Sequence, residues 1–455
     1  MILNHDKHFV PMISVLREFK QEVLKNEHKT LKICVERNNG YNYVYNLEVF
    51  ANPTSSQREH AYKVAERLVK SILWVAGGYK IYIFGDEYIY NRLKEDYSAN
   101  GARAFDFDFM AGVYENPFEV IYVEKQEDFP KESKCSLAIG GHLDGCRIGF
   151  DAGGSDRKVS AVIDGEVVYS EEVVWFPKTN SDYKYHYEGI KEAMLTAASK
   201  MPRVDAIGVS SAGIYIDNKI MVASLFLKVP KEDFNAHVKN MYIDIAKEIG
   251  APIEVANDGD VTALAGAIDI GDNGVLGIAM GTSEAGGYIN LEGNLNGWLS
   301  ELAFVPVDFS EEAYCDEWSG DIGCGVKYFS QDGVIKLAEY AGFTFEEGLS
   351  PAEKLKVIQK LMANGDEMAQ GIYEDIGTYL GYSIAYYSEF YDIKHLLLLG
   401  RVTSGKGGDI IMERARKVLS ENFPEYAHIS IEMPDENNRR VGQSIAAASL
   451  TDSKK

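Results

Sequence analysis

Two glycine-rich turns, each flanked by short apolar runs, constrain this chain more than any other feature of its sequence. The first, Asp151-Ala-Gly-Gly-Ser155, separates the runs 147–150 and 159–163. The second, Gly281-Thr282-Ser283-Glu-Ala-Gly286-Gly287, separates 275–280 and 288–291. Short apolar runs bounded by glycine and polar residues read as strands, so each turn predicts a β-hairpin. The order of elements beyond each hairpin is alike. After the first hairpin, Asp164-Gly165 signals a tight turn into a strand over 167–174, and Ile190, Met194, Ala197 and Met201 recur at helical spacing. An apolar run at 206–209 comes next, then a helix lined by Phe234, Val238, Met241, Ile245 and Ile249 that closes at Gly250, then a strand at 253–255. After the second hairpin come a helix, a strand at 395–399, a helix, a strand at 428–431 and a last helix from Val441. Such alternation predicts two similar α/β halves, each a mixed sheet covered by helices.

At 455 residues the chain exceeds what one core usually organises. Three parts are expected: an N-terminal α+β domain over 1–145, a first lobe over 146–270, and a second lobe over 271–455 with an insertion around 294–361. In the N-terminal part, 31–35 and 43–49 read as paired strands and 80–84 as another. Ala61, Val64, Ala65, Leu68, Val69 and Ile72 share one helix face. Phe105, Phe107 and Phe109 alternate with Asp106 and Asp108, the period of a half-buried strand, although the same aromatic stretch is also a candidate interface. No chemistry-bearing motif falls before residue 146, so this part reads as a docking or oligomerisation module.

Charge narrows the partners. Asp and Glu number 69 against 46 Lys and Arg, a formal charge of −23, which opposes general attraction to nucleic-acid backbones or anionic lipid. No apolar run is long enough to span a bilayer. Residues 1–10 hold Asp6 and two histidines and build no signal-peptide core, so a cytoplasmic location is expected. The five cysteines are too scattered for a disulfide framework.

Four motifs can carry chemistry, and each also has a plain structural reading. In the first turn, Gly153 and Gly154 let backbone N–H groups approach a phosphate, Ser155 adds a donor, and Asp151 can hold Mg²⁺ through water; the same residues also make an ordinary hairpin turn. The second turn, with Gly281 and Thr282, stands at the equivalent place in the second half, which suggests two loops gripping one polyphosphate. Alternatively, Gly286 and Gly287 only relieve crowding inside a strand. Glu284 opposes a simple phosphate loop unless its carboxylate points away or meets a metal. Third, Asn257-Asp258 ends an apolar strand and opens a helix carrying Val261, Leu264, Ala265 and Ile268. Asp258 is there either a helix cap or a general base at the carboxyl end of a strand, with Asn257 orienting the acceptor. Fourth, Gly400 to Gly408, with Ser404 and Gly405, comes directly after the apolar run 395–399; it is either a loop against which a base or ribose lies or a plain loop and cap.

Taken in this order over residues 146–450, the motifs resemble the ROK family of sugar kinases and sugar-sensing repressors, within the actin-like ATPase superfamily. The resemblance implies a duplicated actin-like fold of two lobes with a cleft. It implies ATP bound by Gly153, Gly154, Ser155, Gly281, Thr282, Gly400, Ser404 and Gly405, with Mg²⁺ at Asp151 and Asp258 as base. It matches a hydroxyl-binding family glutamate to Glu301, after Gly297-Trp-Leu-Ser, and assigns the substrate side to Asn257, Ser211 and Gly213 as well. Departures accompany the match. Phe304 occupies the place of a family histidine that binds zinc and often touches the sugar. Only Cys315 and Cys324 remain of a cysteine cluster, so no zinc is expected. The basic helix-turn-helix of the repressor members is not visible before residue 146.

The expectation is therefore ATP-dependent phosphoryl transfer to a hydroxyl of a sugar or related polyol. Its competitor is a non-catalytic sugar or nucleotide sensor, which Glu284, Phe304 and the missing zinc ligands favour and Asn257-Asp258 opposes. The family resemblance suggests a homodimer.

Overall fold

In the computed structural model, residues 3–134, 139–434, 442–443 and 445–453 are described. The N-terminal elements run α1 (Met12–Val23), β1 (His28–Glu36), β2 (Asn42–Phe50), α2 (Ser55–Ala76), β3 (Lys80–Phe84), α3 (Glu87–Asp96), α4 (Ala104–Tyr114) and β4 (Glu119–Tyr122). Then come β5 (Cys146–Ala152), β6 (Asp156–Ile163), β7 (Glu166–Val174), α5 (Tyr183–Ala198), β8 (Ala206–Ser211), β9 (Ile214–Ile216), β10 (Lys219–Val222), α6 (Lys231–Asp233), α7 (Met241–Ile249), β11 (Ile253–Asn257) and α8 (Asp258–Ile270). The remainder is β12 (Val275–Met280), β13 (Glu284–Ile289), α9 (Gln331–Tyr340), α10 (Pro351–Ala363), α11 (Glu367–Tyr387), β14 (His395–Leu399), α12 (Lys406–Asn422) and β15 (Ser430–Glu432).

The duplicated pattern is realised in the sheets. One has the order β11-β8-β5-β6-β7 and another β15-β14-β12-β13, the same succession without a counterpart of β7. β5 pairs antiparallel with β6 and parallel with β8, and β8 pairs parallel with β11, so these three parallel strands end together. Asp164 and Gly165 both take positive φ, 48° and 85°, as a tight β6–β7 turn demands. Gly250 caps α7 at φ 84°.

Two compact units form. One gathers Ser136–Gly277, Gly287–Asn296 and Pro434–Lys455; the other Met1–Cys135, Ile278–Gly286 and Gly297–Met433. In the first, Ile148, Phe150, Ile207 and Val209 bury one face of the five-stranded sheet against Ile190 and Met194 of α5 and Met241 and Ile245 of α7. Each such side chain contributes about 1.5–3 kcal/mol. Gly208 lies against the Ala447 carbonyl, so closely that a Cβ would stand 1.7 Å from that oxygen. Buried Arg147 donates to the Thr451 carbonyl at 2.6 Å, fastening the chain end to the start of β5.

The second unit holds the sheet β2-β1-β3-β4. The N-terminal segment joins residues of 297–433 there through buried charge: Asp321 meets Arg67 at 3.0 Å, Lys70 at 2.8 Å and Arg103 at 2.7 Å.

Three expectations need correction. The Phe105–Phe109 stretch is helix α4, not a strand. Its apparent period of two arises because Asp106 is itself buried, taking the Trp74 indole N–H at 2.8 Å and lying 3.5 Å from Lys70, while Phe105 stacks on Trp74 and Phe109, one turn on, packs against it at a tilt. The helix over 234–249 is broken, with a π turn at Phe234–Val238 before α7. β13 starts at Glu284 rather than Tyr288, which puts Gly286 and Gly287 inside the strand. The predicted start of the last helix, Val441, lies outside the described residues.

Candidate functional site

Three strand ends bring polar residues together in the first unit. Asp151 pairs in the ladder with Ser210, and Ala152 with Ser211, which in turn pairs with Asn257. The Ser210 hydroxyl donates to Asp151 Oδ1 at 2.9 Å. Burial pushes the Asp151 carboxyl above the ordinary aspartate range, with the Ser210 hydrogen bond working in the opposite direction. Asn257 is the N-cap of α8: its Oδ1 accepts the Gly259 N–H at 2.7 Å while its Nδ2 donates to the Gly213 carbonyl at 2.7 Å. Gly213 is required by its φ of 138° and by the Val222 carbonyl, which a Cβ would approach to 2.3 Å.

Capping thus falls to Asn257, not Asp258. Asp258 Oδ1 also approaches the Gly259 N–H, at 3.0 Å. Burial, and then the negative charge of Asp151, push the Asp258 carboxyl up to about 6. Ser211 lies below this edge, fully buried, with its hydroxyl taken by Tyr242 at 3.3 Å.

The first hairpin is braced from the end of β7. The Trp175 indole N–H donates to the Gly153 carbonyl at 2.8 Å and the Trp175 backbone N–H to the Ser155 carbonyl at 3.1 Å. Ser155 Oγ donates to Asp156 at 3.0 Å. Gly153 has no room for a side chain, because the Asp156 carbonyl would stand 2.6 Å from a Cβ. Sequence reasoning missed Lys178, whose side chain crosses Gly154; the signal was a Pro-Lys pair shortly after the third strand.

In the second unit, the loops after β12 and β14 adjoin. Gly400 has φ 95°, and a Cβ there would lie 2.3 Å from the Met280 carbonyl, one residue before Gly281. Thr282 comes next in the same turn, and the Gly281 carbonyl accepts the Gln331 N–H of α9 at 2.9 Å. Ser404 and Gly405, the latter at φ 71°, lead into α12. Gly286 is crowded by the Ser300 carbonyl, 2.5 Å from where a Cβ would be, so its smallness serves strand packing.

Glu284 points into its own unit. It is 3% exposed, near the Tyr387 hydroxyl at 3.5 Å, and its Oε2 has no hydrogen-bond partner among the described residues. Burial raises its carboxyl well above the ordinary range, with the Glu301 charge adding to the effect. Glu301 itself is held by its backbone N–H on the Trp74 carbonyl at 3.0 Å. Phe304 stacks on Trp74 with ring centroids 4.2 Å apart. Cys315 is exposed and Cys324 buried, and among the described residues no three His, Cys, Asp or Glu side chains gather as a metal site.

A strand order repeated in two sheets, with a glycine turn after the first strand of each hairpin, defines a duplicated actin-like α/β fold. Residues 147–446 match the sequence profile of the ROK family, and the chain belongs to that family. Among solved structures, a ROK hexokinase from Thermus thermophilus is 18% identical, with a TM-score of 0.52 over 66% of this chain and 97% of the hexokinase. A ROK family transcriptional regulator, homologous to the E. coli MLC protein, is also 18% identical, with a TM-score of 0.51 over 68% of this chain and 79% of its own. No curated protein matches the chain. The fold is therefore common to a kinase and a regulator, and no described helix is long and apolar enough to cross a membrane.

Proposed function

We propose that the protein transfers the terminal phosphate of ATP to a hydroxyl of a sugar or related polyol. One observation supports this reading above the others: Asn257 takes over helix capping, which leaves Asp258 at a strand end with a carboxyl whose affinity for a proton suits a general base near neutrality. A pure binder has no use for that division of labour.

The hydroxyl proton passes to the Asp258 carboxylate as the oxygen attacks the terminal phosphorus; the bond from that phosphorus to the bridging oxygen breaks, and ADP leaves. Asn257 fixes the start of α8 and with it the reach of Asp258. The turn at Gly153, Gly154 and Ser155 contacts phosphates through backbone N–H groups; in the other unit, the turn at Gly281 and Thr282 and the adjoining loop with Gly400, Ser404 and Gly405 offer glycine backbone of the same kind. Glu301 binds acceptor hydroxyls. The buried Glu284 turns away from the second turn and so does not repel phosphate there.

Asp151 fits a magnesium ion: Ser210 engages only one of its carboxylate oxygens, and a hard carboxylate beside substrate phosphates is the kind of protein ligand that ion takes. When bound, magnesium neutralises phosphate charge. The test is ADP release from Mg-ATP across hexoses, amino sugars and polyols, beside Asp258→Asn. Release that depends on one acceptor class and collapses in the variant supports a kinase. No release, with a sugar that raises thermal stability equally in both proteins, supports a sensor instead.

A further inference from the structure

We propose that Lys178 is a phosphate-binding residue, the cation that meets the terminal phosphate of a nucleoside triphosphate above the Asp151–Asp156 hairpin. This rests on the kinase reading and adds a residue that no motif supplied.

The lysine is laid across the glycine turn. A Cβ on Gly154 would lie 2.8 Å from Lys178 Cε and 2.9 Å from Nζ, so only glycine leaves the ammonium in place. Its exposed head makes no ion pair with any described carboxylate, in a protein carrying a formal charge of −23. Nearby acids are otherwise engaged: Asp156 is met by Lys158 at 3.4 Å and by Ser155, and Asp151 by Ser210. The positive charge of Lys178 lowers the proton affinity of the Asp258 carboxyl, against the larger raising effects of burial and Asp151.

The backbone that carries Lys178 is fixed although its head is free. Residues 177–179 form a single 3-10 turn after β7. On one side Trp175 binds two carbonyls of the hairpin, at Gly153 and Ser155. On the other, the Phe176 N–H donates to the Tyr185 hydroxyl at 2.9 Å, and buried His186 Nε2 binds the Pro177 carbonyl at 3.0 Å. A rigid stem, a free ammonium and a side-chain-free turn beneath it form a ready receptor for an anion, and a preorganised cation is most effective where charge develops during transfer.

The experiment compares wild type, Lys178→Met and Lys178→Arg in two assays: steady-state ADP release with the acceptor found active, and calorimetric titration of magnesium-free inorganic tripolyphosphate. With turnover present, kcat is expected to fall about 100-fold in Lys178→Met, with the acceptor KM within about 2-fold, and to recover to within about 10-fold of wild type in Lys178→Arg. A Lys178→Met kcat within about 2-fold of wild type overturns the assignment. If the wild type phosphorylates nothing, the kinase reading fails separately and tripolyphosphate decides. Binding at least about 10-fold weaker in Lys178→Met upholds the anion site, and equal binding overturns it.

Discussion

Asn257 and Gly213 are joined by a hydrogen bond of 2.7 Å from the asparagine amide to the glycine carbonyl. Because Oδ1 of the same side chain caps α8, both ends of the amide are committed and its rotamer is fixed. Asn257→Ala is therefore expected to lower unfolding free energy by about 1–2 kcal/mol, a lost cap and a carbonyl left without its donor. Asn257→Asp keeps the cap but faces the Gly213 carbonyl with an oxygen, so it should lose more phosphoryl-transfer activity than stability. Urea denaturation beside ADP-release kinetics separates the two effects; Asn257→Asp with unchanged kcat would contradict the positioning role.

Asp258 gives the protein a pH signature. Its folded-state carboxyl sits at about 6, above the ordinary value of 3.8. The unfolded chain thus releases this proton first, so the group's contribution to stability is present at low pH and lost as pH rises between those values. Asp258→Asn should remove that loss and raise unfolding free energy at neutral pH by about 1–3 kcal/mol, while transfer falls by about 10²–10⁴-fold. For the wild type, kcat/KM should climb through about pH 6 as the base ionises. A flat profile across that range would rule out Asp258 as the base of the free enzyme.

How much of the fold and site was legible in the sequence depended on whether one face or two were buried. β3 and β14 match their predicted bounds because each is a short apolar run between glycine or polar punctuation. The α4 segment misled because a buried ion pair hid an inward face behind an aspartate, a pattern that periodicity scores as exposed. The strand ends carrying Asp151, Asn257 and Asp258 were visible as motifs, whereas Lys178 was not, because its place across Gly154, from the 3-10 turn after β7, appears only in the fold. Glu284 was legible as a problem for a phosphate loop. Only the packing around Tyr387 and Gly325 shows where its carboxyl goes, with a Gly325 Cβ position 2.3 Å from Oε2.

Burial holds that carboxyl well above the ordinary glutamate range, so when folded it keeps its proton at pH values where the unfolded chain has lost it. The unfolded state ionises above about 4.5 while the folded state does not, so stability falls with rising pH by about 1.4 kcal/mol per pH unit from this group alone. Glu284→Gln mimics the neutral acid, so its stability relative to wild type in urea denaturation should rise steadily as pH climbs above the ordinary glutamate range. Equal pH slopes would show that Glu284 is ionised when folded.

The Asp321 hub is the last test, because it bears the join between the N-terminal segment and residues of 297–433 in one unit. Burial opposes its charge, yet Arg67 and Lys70 more than offset this and hold its carboxyl below the ordinary range. Stability from this group is therefore present above pH 3.8 and lost on acidification. Asp321→Ala leaves Lys70, which is 0% exposed, with Asp106 alone at 3.5 Å, and leaves Arg67 and Arg103, each 11% exposed, to share the single carboxylate of Glu66. Removing one partner from a buried charge group typically costs about 3–5 kcal/mol. The exposed pair of Lys63, also on helix α2, with Glu311 should cost under about 0.5 kcal/mol when Lys63→Ala breaks it. Chemical denaturation of both variants checks the contrast, and a small effect of Asp321→Ala would mean that water, not protein, compensates the charges of Arg67, Lys70 and Arg103.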